Sequence, residues 1–223
     1  MAMRATVRLM VLGLLLAVGA HGSATANSVS VNRPAPQPQP PAASPEFPDA
    51  TLVRVDHADS TLLRLDGIIT PGAEQRFTDT LNGVPAGRPV VVELNSPGGF
   101  TTAGYRMIDA MLAQRQAGRA VATRVLDGQS CESMCVGLYL AGYPRYAAPG
   151  AEFMVHAPRL AENGRMTLRS TDTMVKRLVA LGASPGWIEK VRAAGGFSGS
   201  LDYRDRADHL AAAGANIVTD LLR

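Results

Sequence analysis

Residues 89–94 (PVVVEL) and the stretch after them restrict the fold more than any other part of the chain. Three valines in a row, bounded by Pro89 and by Asn95-Ser96-Pro97-Gly98-Gly99, suit a short strand buried on both faces. A helical stripe follows directly. Ala103, Met107 and Met111 recur at i, i+4 and i+8 within residues 102–116, with Ile108 and Leu112 beside them and Gly118 as a stop. Strand, glycine turn and helix in that order form the unit of a helix-covered parallel sheet. Further strand signals fall at 51–55, 60–69, 120–126 and 152–155, with Asp56, His57 and Asp59 in the turn between the first two. Helical signals fall at 72–81, 133–141, 167–181, 185–194 and 207–214, and a last strand is expected at 217–222. Such alternation argues an α/β fold with parallel pairing.

Composition matters mainly for what it removes. With 46% apolar and 18% charged residues, 22 Gly and 15 Pro in 223, the chain is not collagen-like, disordered or a coiled coil. The formal charge of +3 includes Arg4 and Arg8, which precede the twelve apolar residues 9–20. Those features, followed by Ala24-Thr25-Ala26, read as a cleaved signal peptide over 1–26, so the mature chain is expected to be secreted or periplasmic. Without the two leader arginines the charge is nearly balanced, and no arginine cluster forms a nucleic-acid patch. Residues 27–50 are expected to be a linker, because 31–50 hold seven of the fifteen prolines and little apolar mass. The folded domain is then 51–223, long enough for a substantial core.

Three sites carry chemistry. Asn95-Ser96-Pro97-Gly98-Gly99 leaves backbone N–H groups uncovered between a strand and a helix, as an oxyanion cradle requires, although Pro-Gly-Gly is also a common turn. Cys131-Glu132-Ser133-Met134-Cys135 opens a buried helix. A serine there is ordinarily an N-cap, the reading that wins on this segment alone; the same position also suits a nucleophile, since the helix dipole stabilises charge on an attacked carbonyl. The two cysteines are the only ones in the chain, and after export they are expected to form a disulfide bracing Ser133. Two thiols without a nearby histidine make a poor zinc site. Third, His156 leaves a short apolar strand (FMVHAP) and faces a cleft better than His57 or His209 do.

Together these segments resemble the proteolytic subunit of the Clp protease, ClpP, and its ClpP/crotonase-fold relatives. LNSPGGFTTAGYRMIDAM resembles the family's Ser-Pro-Gly-Gly loop and helix, GQSCESMCVGLYLAG its nucleophile segment, and EFMVHAP its histidine strand. Ser133 and His156 are 23 residues apart, close to the family's interval, and YRDRADHLAAAGANIVTD resembles its closing pattern. The resemblance implies a repeated β-β-α spiral with a mostly parallel sheet. The leader and Cys-x-Ser-x-Cys resemble the exported, periplasmic ClpP-like group. Carried over, Ser133 attacks the scissile carbonyl, His156 takes its proton, and Asp205 orients the histidine, with Asp202 and Asp208 as alternatives for the acid. Gly99 and Met134 would supply oxyanion N–H groups, with Gly98 shaping the turn. Glu132 departs from the family's small neutral residue; pointing into the site, it would oppose an oxyanion.

The implied function is an exported, ATP-independent serine endopeptidase acting on flexible or unfolded segments. No cofactor, metal, CoA, nucleic acid or ATP-driven unfoldase is expected; the partners are a peptide or unfolded protein and, from the family, further copies of the chain. Three other readings compete. One is a Ser-Lys dyad using Lys176 or Lys190, and another is a crotonase-type acyl-CoA enzyme. The third is a non-catalytic peptide- or protein-binding member of the fold.

Overall fold

The computed structural model describes residues 47–160 and 163–223. The expected leader and most of the proline-rich linker lie outside those residues. Along the chain come β1 (Thr51–Asp56), β2 (Thr61–Asp66), α1 (Pro71–Asn82), β3 (Val90–Asn95), α2 (Thr101–Gln116) and β4 (Val121–Val125). Then follow β5 (Ser130–Glu132), α3 (Met134–Leu140), β6 (Arg145–Ala147), β7 (Glu152–Val155) and α4 (Leu168–Ala180). The last elements are α5 (Pro185–Ala193), β8 (Tyr203–Arg206), α6 (Ala207–Ala212) and β9 (Asp220–Leu221).

The fold is α/β with a mostly parallel central sheet in the order β1-β2-β3-β4-β6-β9. Only the β1–β2 pair is antiparallel, because a short turn joins them; every later neighbour returns through a crossover and pairs parallel. A second sheet, β5-β7-β8, carries the site. It joins the first through a parallel bridge between Ser96, just past β3, and Cys131 of β5. β5, β6 and β8 were not expected from the sequence. At three or four residues each they are too short to show a period. The expected strand at 217–222 shrinks to β9.

The core is built where the apolar stripes converge. Phe77 and Leu81 of α1, Met107 and Met111 of α2, and Leu138 of α3 pack with Leu63 and Leu65 of β2 in one fully buried cluster. Burial of side chains this size contributes roughly 1.5–3 kcal/mol each. β3 departs from the expected apolar run at Glu93, which is completely buried. Register explains how: Arg64 of β2 and Arg124 of β4 sit opposite it on either side, with contacts of 2.5 and 2.7 Å. Burial alone would raise the Glu93 pKa, but the two guanidinium partners outweigh it and leave the carboxyl below its ordinary value.

Three helices begin with hydroxyl caps, each accepting an N–H at 3.1 Å: Thr70 from Ala73, Thr167 from Ser170, and Ser184 from Trp187. Helix α3 begins differently.

Candidate active site

Ser133 precedes α3 but does not cap it: its side chain makes no capping hydrogen bond. Its backbone sits at φ +53°, ψ −118°, a conformation rarely adopted by a residue with a Cβ. Three constraints hold it there. Its N–H donates to the Met154 carbonyl at 2.6 Å, tying it to β7. A Cys131–Cys135 disulfide, as expected, joins the residues two before and two after it. Met134 packs side chain first onto Gly104 of α2, where a Cβ would collide with it. The hydroxyl is therefore free of structural duty while its main chain is fixed.

The glycine loop is anchored against the same point. Ser96 is buried; its hydroxyl donates to the Gly67 carbonyl at 2.6 Å and accepts the Gly98 N–H at 3.1 Å. Its backbone pairs with β5, the Ser96 N–H donating to Ser130 and the Glu132 N–H to Ser96. Gly98 and Gly99 have φ of +88° and +153°. Glycine is required here for space as well: a Cβ on Gly98 would lie 2.7 Å from the Glu132 carbonyl and 2.9 Å from the Met134 nitrogen, and one on Gly99 would strike Ile69. One edge of the loop is satisfied by Ile69, which donates to the Gly98 carbonyl and accepts the Phe100 N–H, both at 2.8 Å. The Gly99 N–H points away from that edge. Met134 is the first residue of α3, where a backbone N–H has no partner within the helix.

His156 follows β7. Its Nδ1 lies 2.7 Å from the Ala157 carbonyl. A carbonyl only accepts, so in the neutral ring Nδ1 carries the proton and Nε2 is the acceptor, the tautomer a general base needs. Ser133 and His156 line one cleft of about 210 Å³ together with Pro97, Gly99, Met134 and Arg159. Glu132 does not threaten it: its carboxylate is held by Arg204 of β8 at 2.8 Å. Neither Lys176 nor Lys190 lines the cleft; Lys190 instead approaches Asp205 at 3.6 Å.

The three aspartates are sorted by the register of β7 and β8. The antiparallel ladder runs from Glu152↔Arg206 to Val155↔Tyr203 and ends there; His156 and Asp202 are the next residues on the two segments, just beyond the last pair. Side chains alternate along a strand. Tyr203 and Asp205 share a face with Phe153, Val155 and Trp187, whereas Arg204 reaches Glu132 beside Ser133. Asp205 belongs to a separate cluster, accepting from Tyr203 at 2.9 Å, from the Arg206 N–H at 2.9 Å and meeting His209 Nδ1 at 3.2 Å. Burial pushes its carboxyl pKa up, but Tyr203, the Arg206 N–H, Lys190 and His209 together hold it below the ordinary value. Asp208 pairs with Arg206 in the first turn of α6. Asp202 pairs with Arg159 at 2.9 Å, and Arg159 lines the cleft.

The structure thus brings Ser133, His156, Gly98, Gly99 and Met134 together, holds Asp205 in the cluster with Tyr203 and His209, and ties Asp202 to Arg159 of the cleft. Arg159 and Arg204 were not singled out from the sequence. Only the folded chain exposes them, since each meets a carboxylate distant in sequence, Asp202 and Glu132. Among the described residues no three His, Cys, Asp or Glu side chains group as a metal site, and no helix is long and apolar enough to cross a membrane.

Residues 80–180 match the family model described as Clp protease. That span contains the glycine loop, Ser133 and His156. No curated protein matches the chain.

Proposed function

From a chain that is ClpP-like across its nucleophile and histidine segments, we propose that the activity is serine peptide-bond hydrolysis by Ser133 and His156, with Asp202 as the acid. One observation carries this reading: a serine at a helix start that caps nothing, held at positive φ, shares a cleft with a histidine whose Nε2 is an acceptor.

In the proposed mechanism Ser133 Oγ attacks the scissile carbonyl while His156 Nε2 takes its proton. Charge developing on the carbonyl oxygen meets the N–H groups of Gly99 and Met134 and the positive end of α3. The protonated histidine then gives its proton to the leaving amine, and water, activated by the same Nε2, hydrolyses the acyl-enzyme. Asp202 steadies the imidazolium once Nδ1 turns from Ala157 toward it. The Glu132–Arg204 pair keeps a carboxylate out of the oxyanion region.

The proposal extends to export through a cleaved 1–26 leader and to ATP-independent action on flexible segments. The Cys131–Cys135 disulfide supports an oxidising compartment. A binding protein without catalysis is the second reading, favoured by one feature: Asp202 is held by Arg159, and His156 Nδ1 faces a carbonyl instead of the acid. Labelling with a fluorophosphonate decides between them. Adduct on Ser133, lost in Ser133→Ala and His156→Ala, supports the peptidase; folded protein that takes no label supports binding alone.

A further inference from the structure

Beside the cleft lies a larger groove of about 530 Å³, sharing Pro97, Gly99, Thr101 and Arg159 with it. Its floor and walls are apolar: Phe47, Ile68, Phe100, Ala103 and Leu160 contribute, and the Phe47 and Phe100 rings meet edge to face at 6.0 Å. Two cations interrupt this lining, Arg106 and Arg159, and no acidic residue is among the described residues that form it. Neither arginine is locked away. Arg106 is 66% exposed and only 3.6 Å from Glu74, a loose contact, while Arg159 is 39% exposed. Both arginines have their carboxylate partners, Glu74 and Asp202, outside the groove lining, so the groove itself presents apolar surface and positive charge and favours a ligand that is apolar and anionic at once.

We propose that the groove takes a peptide bearing a carboxylate next to a large apolar side chain, and that Arg159 reads the carboxylate. This rests on the peptidase reading of Ser133. The same guanidinium that faces the groove holds Asp202 at 2.9 Å, so binding and catalysis meet at one side chain. A substrate carboxylate competes with Asp202 for Arg159. Once it draws the guanidinium into the groove, Asp202, one residue beyond the last pair of the β7–β8 ladder, is free to swing further toward His156. Arg159 is thus a specificity and positioning residue. It helps the carboxylate substrate to bind, and it also raises turnover by assembling the triad. Arg106 adds attraction at the far end.

The test uses the full chain and three peptides sharing one apolar residue at the cleaved position: one with an adjacent Glu, one with Gln there, and one in which the carboxylate is a free C terminus. Cleavage of the Glu or C-terminal peptide should exceed that of the Gln peptide by about tenfold or more, the size of one charge-assisted contact, in kcat as well as KM. Arg159→Gln should abolish the preference and Arg159→Lys should restore part of it. Arg106→Gln should weaken it through KM alone. Binding of the same peptides to Ser133→Ala, followed by fluorescence anisotropy, separates the two readings. Preferential binding without turnover in the wild type would overturn the peptidase and the kcat effect while leaving the groove's selectivity. Turnover of all three peptides at equal rates, or a preference that persists in Arg159→Gln, overturns this proposal while leaving the peptidase.

Discussion

Strand β8 carries a histidine–aspartate neighbourhood on one face and another at its N-terminal end, and they differ in everything except residue type. On one face His209 and Asp205 are already in contact, and Tyr203 and Lys190 complete a saturated polar cluster over Trp187. At the other, His156 and Asp202 lie just beyond the last ladder pair, the one on the Ala157 carbonyl and the other on Arg159. The finished pair has no nucleophile. The unfinished pair stands beside Ser133, a glycine loop and a cleft. Satisfied hydrogen bonds mark a structural cluster here, and incomplete ones mark the place for chemistry.

The comparison breaks most visibly at the nucleophile. Ser133→Ala and His156→Ala should each lower peptidase turnover by about 10³-fold or more, while His209→Ala should leave it within about threefold; a peptide-cleavage assay with circular dichroism as a folding control measures both. Next come the acids. Asp202→Asn should cost about 10²- to 10⁴-fold in kcat and little stability, since its partner Arg159 is partly exposed. Asp205→Asn should do the reverse: kcat within about threefold, but stability lower by about 1–2 kcal/mol, read as a fall in Tm of a few degrees.

How far these contrasts were legible in the sequence follows from what each rests on. The β3–glycine loop–α2 unit and the place of His156 after a short strand were readable, because each depends on residues adjacent in the chain; that Ser133 leaves α3 uncapped was not, since a serine at a helix start ordinarily caps it. The acid was not. Asp202, Asp205 and Asp208 are spaced by three in a stretch whose motif match cannot tell register, and a strand sends alternate residues to opposite faces. Only pairing with β7 shows that Asp205 lies opposite Phe153, on the face away from Arg204 and Glu132. Buried Glu93 was hidden in the same way, since its partners Arg64 and Arg124 come from neighbouring strands.

Smaller effects sharpen the picture. Replacing both cysteines with serine should cost about 2 kcal/mol of stability by the chain-entropy estimate for so short a loop, and about tenfold in labelling rate as the Ser133 turn loosens; thermal melts and labelling kinetics measure each. Acid titration gives the mildest signal. Asp205 has its folded pKa held below the unfolded carboxylate value of 3.8. Its contribution is therefore complete above that value and is lost as pH falls through the lowered folded pKa. Wild type and Asp205→Asn should differ in stability at neutral pH and converge in strong acid.

The most direct test is fluorophosphonate labelling of the folded, oxidised protein, located by peptide mass spectrometry in wild type, Asp202→Asn and Asp205→Asn. Adduct is expected on Ser133, formed more slowly in Asp202→Asn than in wild type and at the wild-type rate in Asp205→Asn. A folded wild type that takes no label, or labelling that keeps its wild-type rate in Asp202→Asn and slows in Asp205→Asn, would contradict the proposed triad.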